Sequence, residues 1–218
     1  MSYPCATVKS KVQRHKGVTM TSQTTSPRLT ENFDEAMLYA SQKHRNQTRK
    51  GGGIPYLGHL LSVAGYVIEA GGTETEAIAA LLHDAAEDQG GEETLAEIRE
   101  KFGDAVEHIV RECSDTVVTP KPPWRKRKER YIRHLRKASD SALLVSLADK
   151  LHNAHAILRD FRAHGDELWQ RFSTNDPYDH LWYYHSLLEV YRKRIHNWMV
   201  DELSDVINEL EWAILPPA

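Results

Sequence analysis

Apolar residues recur every three to four positions along most of the chain, and no stretch alternates convincingly in twos. That period belongs to helices laying one face on a core. Thr30 is a good N-cap ahead of Phe33, Ala36, Met37 and Ala40, so a helix is expected from about Glu31 to His44. His59 opens a second helix, Leu60 to Ala70, with Leu61, Ala64, Val67 and Ile68 on its apolar side. Gly71 and Gly72 end it, and Thr73 caps the next. That third helix carries residues 77–88, with Ile78, Leu81, Leu82 and Ala85 inward. Two short helices follow, Thr94–Phe102 and Ala105–Cys113, then a proline-rich turn at 119–123. Leu143–Leu158 reads as a strongly apolar helix burying Leu144, Leu147, Ala148 and Leu151. From Asp166 the chain is helical and aromatic. Trp169, Phe172, Tyr178, Trp182, Tyr183, Tyr184, Tyr191 and Trp198 read as core, and Asp201–Leu210 as a last amphipathic helix. The prediction is an all-α bundle over residues 29–212. Residues 1–28 read as a disordered, mildly basic tail and 213–218 as a frayed end.

Composition narrows the class. A hydrophobic fraction of 40% in 218 residues supplies a full core. A formal charge of −3 predicts no strong attraction to nucleic acid. Two distant cysteines, Cys5 and Cys113, indicate neither a disulfide framework nor a thiolate zinc site. No apolar run approaches the ~20 residues of a membrane span, and the first residues lack a signal peptide's apolar core. A soluble, cytoplasmic protein is expected, with homo-oligomerisation left open.

The chemistry gathers in a few places. His83, Asp84, Glu87 and Asp88 fall together on the polar side of the third helix, since residues three and four apart are neighbours there. An acidic run more often marks a solvated face. Here an imidazole and three carboxyl groups sit beside an apolar Ala-Leu-Leu step, where burial and mutual repulsion penalise each charge. A divalent cation removes both costs. Asp149 interrupts an otherwise apolar helix and has Asn153 one turn later on the same face. Its carboxylate needs a cation or a hydrogen-bond partner. His152 and His155 read as supporting or packing residues rather than ligands. Arg49 and Lys50 precede the loop Gly51-Gly52-Gly53, where backbone amides can approach a phosphate. No Gly-Lys-Ser/Thr ending makes it a Walker loop. The basic run Arg125–Arg130 is divided between a solvated face and phosphate contacts.

The constellation His59, His83, Asp84 and Asp149 offers imidazole and hard oxygen, which suits Mn²⁺, Fe²⁺ or Zn²⁺. Its H…HD…D order resembles the HD metal-dependent phosphohydrolase superfamily. HDAAED at 83–88, LADKLHN at 147–153, and Arg49-Lys50 ahead of Pro55-Tyr56 and His59 closely resemble the hydrolase domain of RelA/SpoT enzymes. The resemblance covers roughly Asn32 to Tyr191. It implies an HD-domain helical bundle acting as a stand-alone alarmone hydrolase. The implied activity is Mn²⁺-dependent removal of the 3′-diphosphate of (p)ppGpp through a metal-activated water, yielding GDP or GTP and pyrophosphate. It further implies metal ligands at His59, His83, Asp84 and Asp149. Glu87 and Asp88 would handle the attacking water, and Arg49, Lys50 and Asn153 would contact the nucleotide. Two alternatives stay open. One is another HD nucleotide phosphohydrolase, such as an NADPH phosphatase. The other is an antitoxin, acting by contact or by hydrolysing a toxic alarmone.

Overall fold

The helices begin where their caps stand. In the computed structural model, which describes residues 29–116 and 120–215, the Thr30 hydroxyl accepts a hydrogen bond from the Asn32 amide at 3.2 Å and opens α1, Glu31–Lys43. The expected tail at 1–28, residues 117–119 ahead of the prolines, and 216–218 of the expected frayed end lie outside the described residues, while 213 and 214 of that end belong to the last helix. α2 spans Leu57–Glu69 and α3 Glu74–Leu82. Thr73 caps α3 in a reciprocal box with Glu76, which satisfies two amides that would otherwise lack partners. A single turn, α4, covers Ala85–Gln89, followed by α5, Gly91–Phe102, and α6, Asp104–Cys113. The basic segment forms α7, Trp124–Leu135. The 25-residue α8, Asp140–His164, leads through a 3₁₀ segment, Gly165–Arg171, to α9, Pro177–Arg194, and α10, Trp198–Ile214. Thr48 and Pro55 form one isolated β-bridge among the described residues. The all-α prediction holds.

α3 is the hub. It packs against α1, α2, α6 and α8, and all of Ala77 to Leu82 are buried. Its surface is therefore apolar on every side rather than amphipathic as expected. The three alanines let its neighbours approach closely. α8 passes across it and meets α2, α6 and α10.

Three expectations are corrected. The helix predicted through residues 77–88 breaks at His83 and Asp84, between α3 and α4. On α2 the buried face is His59, Leu60, Val63, Ala64 and Val67, and Leu61 is exposed. His59 must point inward, and that rotates Leu61 to the outside. Of the aromatic residues assigned to the core, Trp169, Tyr183, Tyr184 and Tyr191 are buried, but Tyr178 and Trp198 lie on the surface. Tyr178 stands in the first turn of α9 and Trp198 in that of α10, where helix ends leave the bundle.

Truncating Leu81, which is fully buried, should cost about 2–5 kcal/mol in denaturant unfolding. Leu61→Ala should change stability by less than about 0.5 kcal/mol. Equal losses at the two positions would contradict the placement of α2.

Candidate metal centre

Consecutive residues of an unbroken helix leave the axis about 100° apart, so from a regular turn His83 and Asp84 would face one point only with their side chains folded toward each other. The break after Leu82 solves this. Both residues keep right-handed backbone angles, with Asp84 at φ −97°, ψ −5°, but their side chains turn to the same side. His59 reaches that point from the first turn of α2 and Asp149 from the middle of α8. One potential ligand atom from each of His59, His83, Asp84 and Asp149 lies within 4.8 Å of all the others. His59 and His83 are buried.

The proton inventory of the cluster fits a cation. His83 Nδ1–H donates to the Ala80 carbonyl at 2.7 Å, so Nε2 is the nitrogen turned to the cluster, where a cation would take the place of its proton. His59 Nδ1 meets His152 Nδ1 at 2.8 Å. Burial, together with His59 and Arg49, lowers the pKa of His152 to about 4, so it is a neutral neighbour. That contact occupies His59 Nδ1, so its Nε2 is likewise the nitrogen turned to the cluster. Both Nε2 atoms are buried without a hydrogen-bond partner. They face carboxylate oxygens instead: His83 Nε2 is 3.0 Å from Asp84 Oδ2, and His59 Nε2 is 3.2 Å from Asp149 Oδ1. Lone pairs opposed to anions in a buried site are unfavourable unless a positive charge stands between them. A divalent cation bound by imidazole and carboxylate fits this donor set.

A second ring of contacts orients these four residues. The Tyr56 hydroxyl donates to Asp84 Oδ2 at 2.6 Å. Burial and the Asp84 carboxylate push its pKa far above the usual 10, so it stays a donor. Asn153 donates to Asp149 Oδ1 at 2.5 Å and accepts from Arg49 at 2.6 Å. Lys150 donates to Asp149 Oδ2. Burial alone would raise the pKa of Asp149, but Lys150 and the two histidines hold it well below the ordinary carboxylate value.

The cluster opens into a cleft of about 1020 Å³, which Arg49, Lys50, Glu87, Asp88 and Asn153 also line. All the residues singled out in the sequence for catalysis or substrate contact therefore share one space. Glu87 accepts from the Asp115 amide at 3.0 Å and from Lys121 at 2.8 Å. Asp88 accepts from Gln47 at 2.8 Å. The loop carrying Arg49 and Lys50 is fastened rather than loose: the Arg49 amide donates to the Ile54 carbonyl at 2.8 Å and the Tyr56 amide to that of Gln47 at 2.9 Å. Gly51 and Gly53 make that return with φ of +78° and +63°. The basic run divides. Arg127 and Lys128 face the cleft and hold Asp115, while the Arg125 guanidinium lies 3.2 Å over the Trp182 ring and pairs with Asp179.

Sequence reasoning assigned no role to Tyr56, Lys121 or Lys150. Tyr56 and Lys150 stand inside the quoted motifs, which was the available signal. Lys121 had none, because its partners Glu87 and Asp88 lie more than thirty residues back. His152 supports a candidate ligand, as expected. His155 bonds to Tyr66 and Glu202 instead.

A family model described as an HD domain matches residues 36–176. The chain belongs to the HD-domain family. Relatives include the protein named guanosine-3′,5′-bis(diphosphate) 3′-pyrophosphohydrolase MESH1 of Xenopus tropicalis, 40% identical over 138 residues, which cover 62% of this chain and 72% of that protein. The Homo sapiens protein of the same name is 37% identical over 148 residues, covering 66% and 78%. A solved structure described as a metazoan ortholog of SpoT that hydrolyses ppGpp superposes with a TM-score of 0.69 at 28% identity, over 86% of this chain and 99% of that one. A Listeria monocytogenes structure gives 0.60 at 28% identity, over 75% and 100%. The resemblance read from the sequence is borne out. Among the described residues no helix is long and apolar enough to cross a membrane.

Two outcomes test the centre. Burial works against a charged His83, but Asp84 and Asp149 reverse this and hold its pKa well above 6.5. In metal-free protein the imidazolium's contribution is complete below pH 6.5 and is lost as pH rises through the higher folded value. The melting temperature of chelator-treated protein should therefore fall over that rise, and a divalent cation competing for the same nitrogen should bind more tightly along it. Separately, Tyr56→Phe should weaken cation affinity about 10–100-fold, read by calorimetry, with the circular dichroism spectrum unchanged.

Proposed function

We propose that this chain removes the 3′-diphosphate of (p)ppGpp, releasing pyrophosphate and GDP or GTP, with Mn²⁺ held by His59, His83, Asp84 and Asp149. The observation that carries the reading is the pair of buried, unpartnered Nε2 atoms facing two carboxylates at the floor of a cleft that also presents cations. The names of the MESH1 relatives and of the superposing structure support the substrate. A water-soluble nucleotide as substrate fits a cytoplasmic place of action.

When bound, such a cation lowers the pKa of a coordinated water and polarises a phosphoryl oxygen. The side chains supply the rest. Glu87 and Asp88 stand on the single turn of α4 immediately after the ligand pair, so the break that aims His83 and Asp84 also fixes the two carboxylates beside them. One of these accepts the proton of the attacking water. The Asp115 amide and Gln47 hold the two side chains in place. Arg49 and Lys50 offset the diphosphate charge from the loop wall, and Arg127 and Lys128 from the α7 wall. Arg49 also bonds Asn153, so the residue that meets the nucleotide is tied to the residue that steadies Asp149. Phe172 and Tyr184 give part of the same cleft an aromatic lining.

The test is ppGpp turnover by purified, manganese-loaded protein, with pyrophosphate as the readout and NADPH as a parallel substrate. Pyrophosphate and GDP are expected from ppGpp. Phosphate release from NADPH with no turnover of ppGpp would overturn the substrate assignment. Asp84→Ala and His83→Ala should lose the cation and activity together. Glu87→Gln should keep cation affinity while kcat falls about 10²–10⁴-fold.

A further inference from the structure

Lys150 makes a contact that helix geometry does not ordinarily produce. Adjacent residues of a helix do not face each other, yet Lys150 folds back and its Nζ donates to Oδ2 of Asp149. The other oxygen of that carboxylate has a different task. Asp149 Oδ1 lies 3.2 Å from His59 Nε2 and 3.5 Å from His83 Nε2, inside the ligand cluster. The two oxygens are thus divided, one toward the cluster and one toward the lysine.

The lysine is itself held. Its side chain is 14% exposed, and its Nζ stands 5.3 Å from the centre of the Tyr131 ring. The Tyr131 hydroxyl bonds Ser146 and Ser146 bonds Tyr191, each at 2.7 Å. Among the described residues Asp149 is its one carboxylate partner. A carboxylate can bind a cation through one oxygen or through both. Binding through both fills two coordination positions, whereas a hydrolytic site keeps a position open. An ammonium on Oδ2 opposes the second mode. Chelation would break a poorly solvated ion pair and bring the cation closer to a like charge.

We propose that Lys150 is a positioning residue that confines Asp149 to one-oxygen ligation and so keeps room at the cation for water and a phosphoryl oxygen. The inference rests on the metal reading above. It separates Lys150 from a lysine that merely stabilises the bundle, because it predicts that cation affinity and turnover part company.

The experiment compares wild type, Lys150→Met, Lys150→Arg and Asp84→Ala. Manganese(II) is titrated calorimetrically into chelator-treated protein, and kcat and KM are measured with ppGpp. Lys150→Met should bind manganese(II) at least as tightly as wild type, while kcat falls about 10–100-fold and KM changes little. Lys150→Arg should recover most of kcat. If Lys150→Met does not fold, Lys150→Gln carries the same comparison. Joint loss of cation and turnover, as expected for Asp84→Ala, would overturn the proposal, and so would a wild-type kcat in Lys150→Met. Wild-type protein that takes up no divalent cation would overturn the metal reading itself, an outcome distinct from either.

Discussion

Two imidazole Nε2 atoms and two carboxylates meet inside this bundle, and only a positive charge between them, a proton or a cation, makes that meeting favourable. The rest of the structure follows from the requirement. His59 has to point inward, which fixes the rotation of α2 and sends Leu61 to solvent. His83 and Asp84 face one point from the break between α3 and α4. Asp149 sits in the interior, in the middle of α8, with partners for both carboxylate oxygens. None of these arrangements is explained by packing alone. Together they put four donors from three separated stretches of chain within 4.8 Å of one another.

Around that floor the cleft has two unlike walls. The loop bearing Arg49 and Lys50 is closed by backbone bonds and by glycines with positive φ, so its cations are presented from a defined frame. The opposite wall is α7, whose Arg127 and Lys128 are organised by Asp115. Glu87 and Asp88 stand between the floor and this wall, linked through Lys121. The chain from Arg49 through Asn153 to Asp149 connects a wall directly to the floor. The loop wall and the floor are therefore joined directly, through three side chains.

Much of this was legible in the residues. Caps at Thr30 and Thr73 marked helix starts because side-chain oxygens must satisfy the first free amides. The ligand candidates were legible because a histidine–aspartate pair and a lone aspartate interrupted apolar helices, where charge is costly without a partner. The break after Leu82 was not legible. Periodicity across residues 77–88 is compatible with a continuous helix, and only the need for adjacent side chains to converge argues against one. The buried face of α2 differs by one position from the expected one, because His59 in its first turn points inward. Lys121 was beyond sequence reasoning altogether. It lies among prolines, and what gives it meaning is the approach of two carboxylates from a different helix.

The alanine-rich α3 carries a wider implication. With every residue from Ala77 to Leu82 buried, the strut beneath the histidine–aspartate junction meets protein on every side, and close-packed interiors respond poorly to altered side-chain size. Changes of side-chain size are better accommodated at the glycine loop and the basic helix, which lie away from this strut. A lineage could refit such a rim to a differently decorated nucleotide while its foundation stayed untouched.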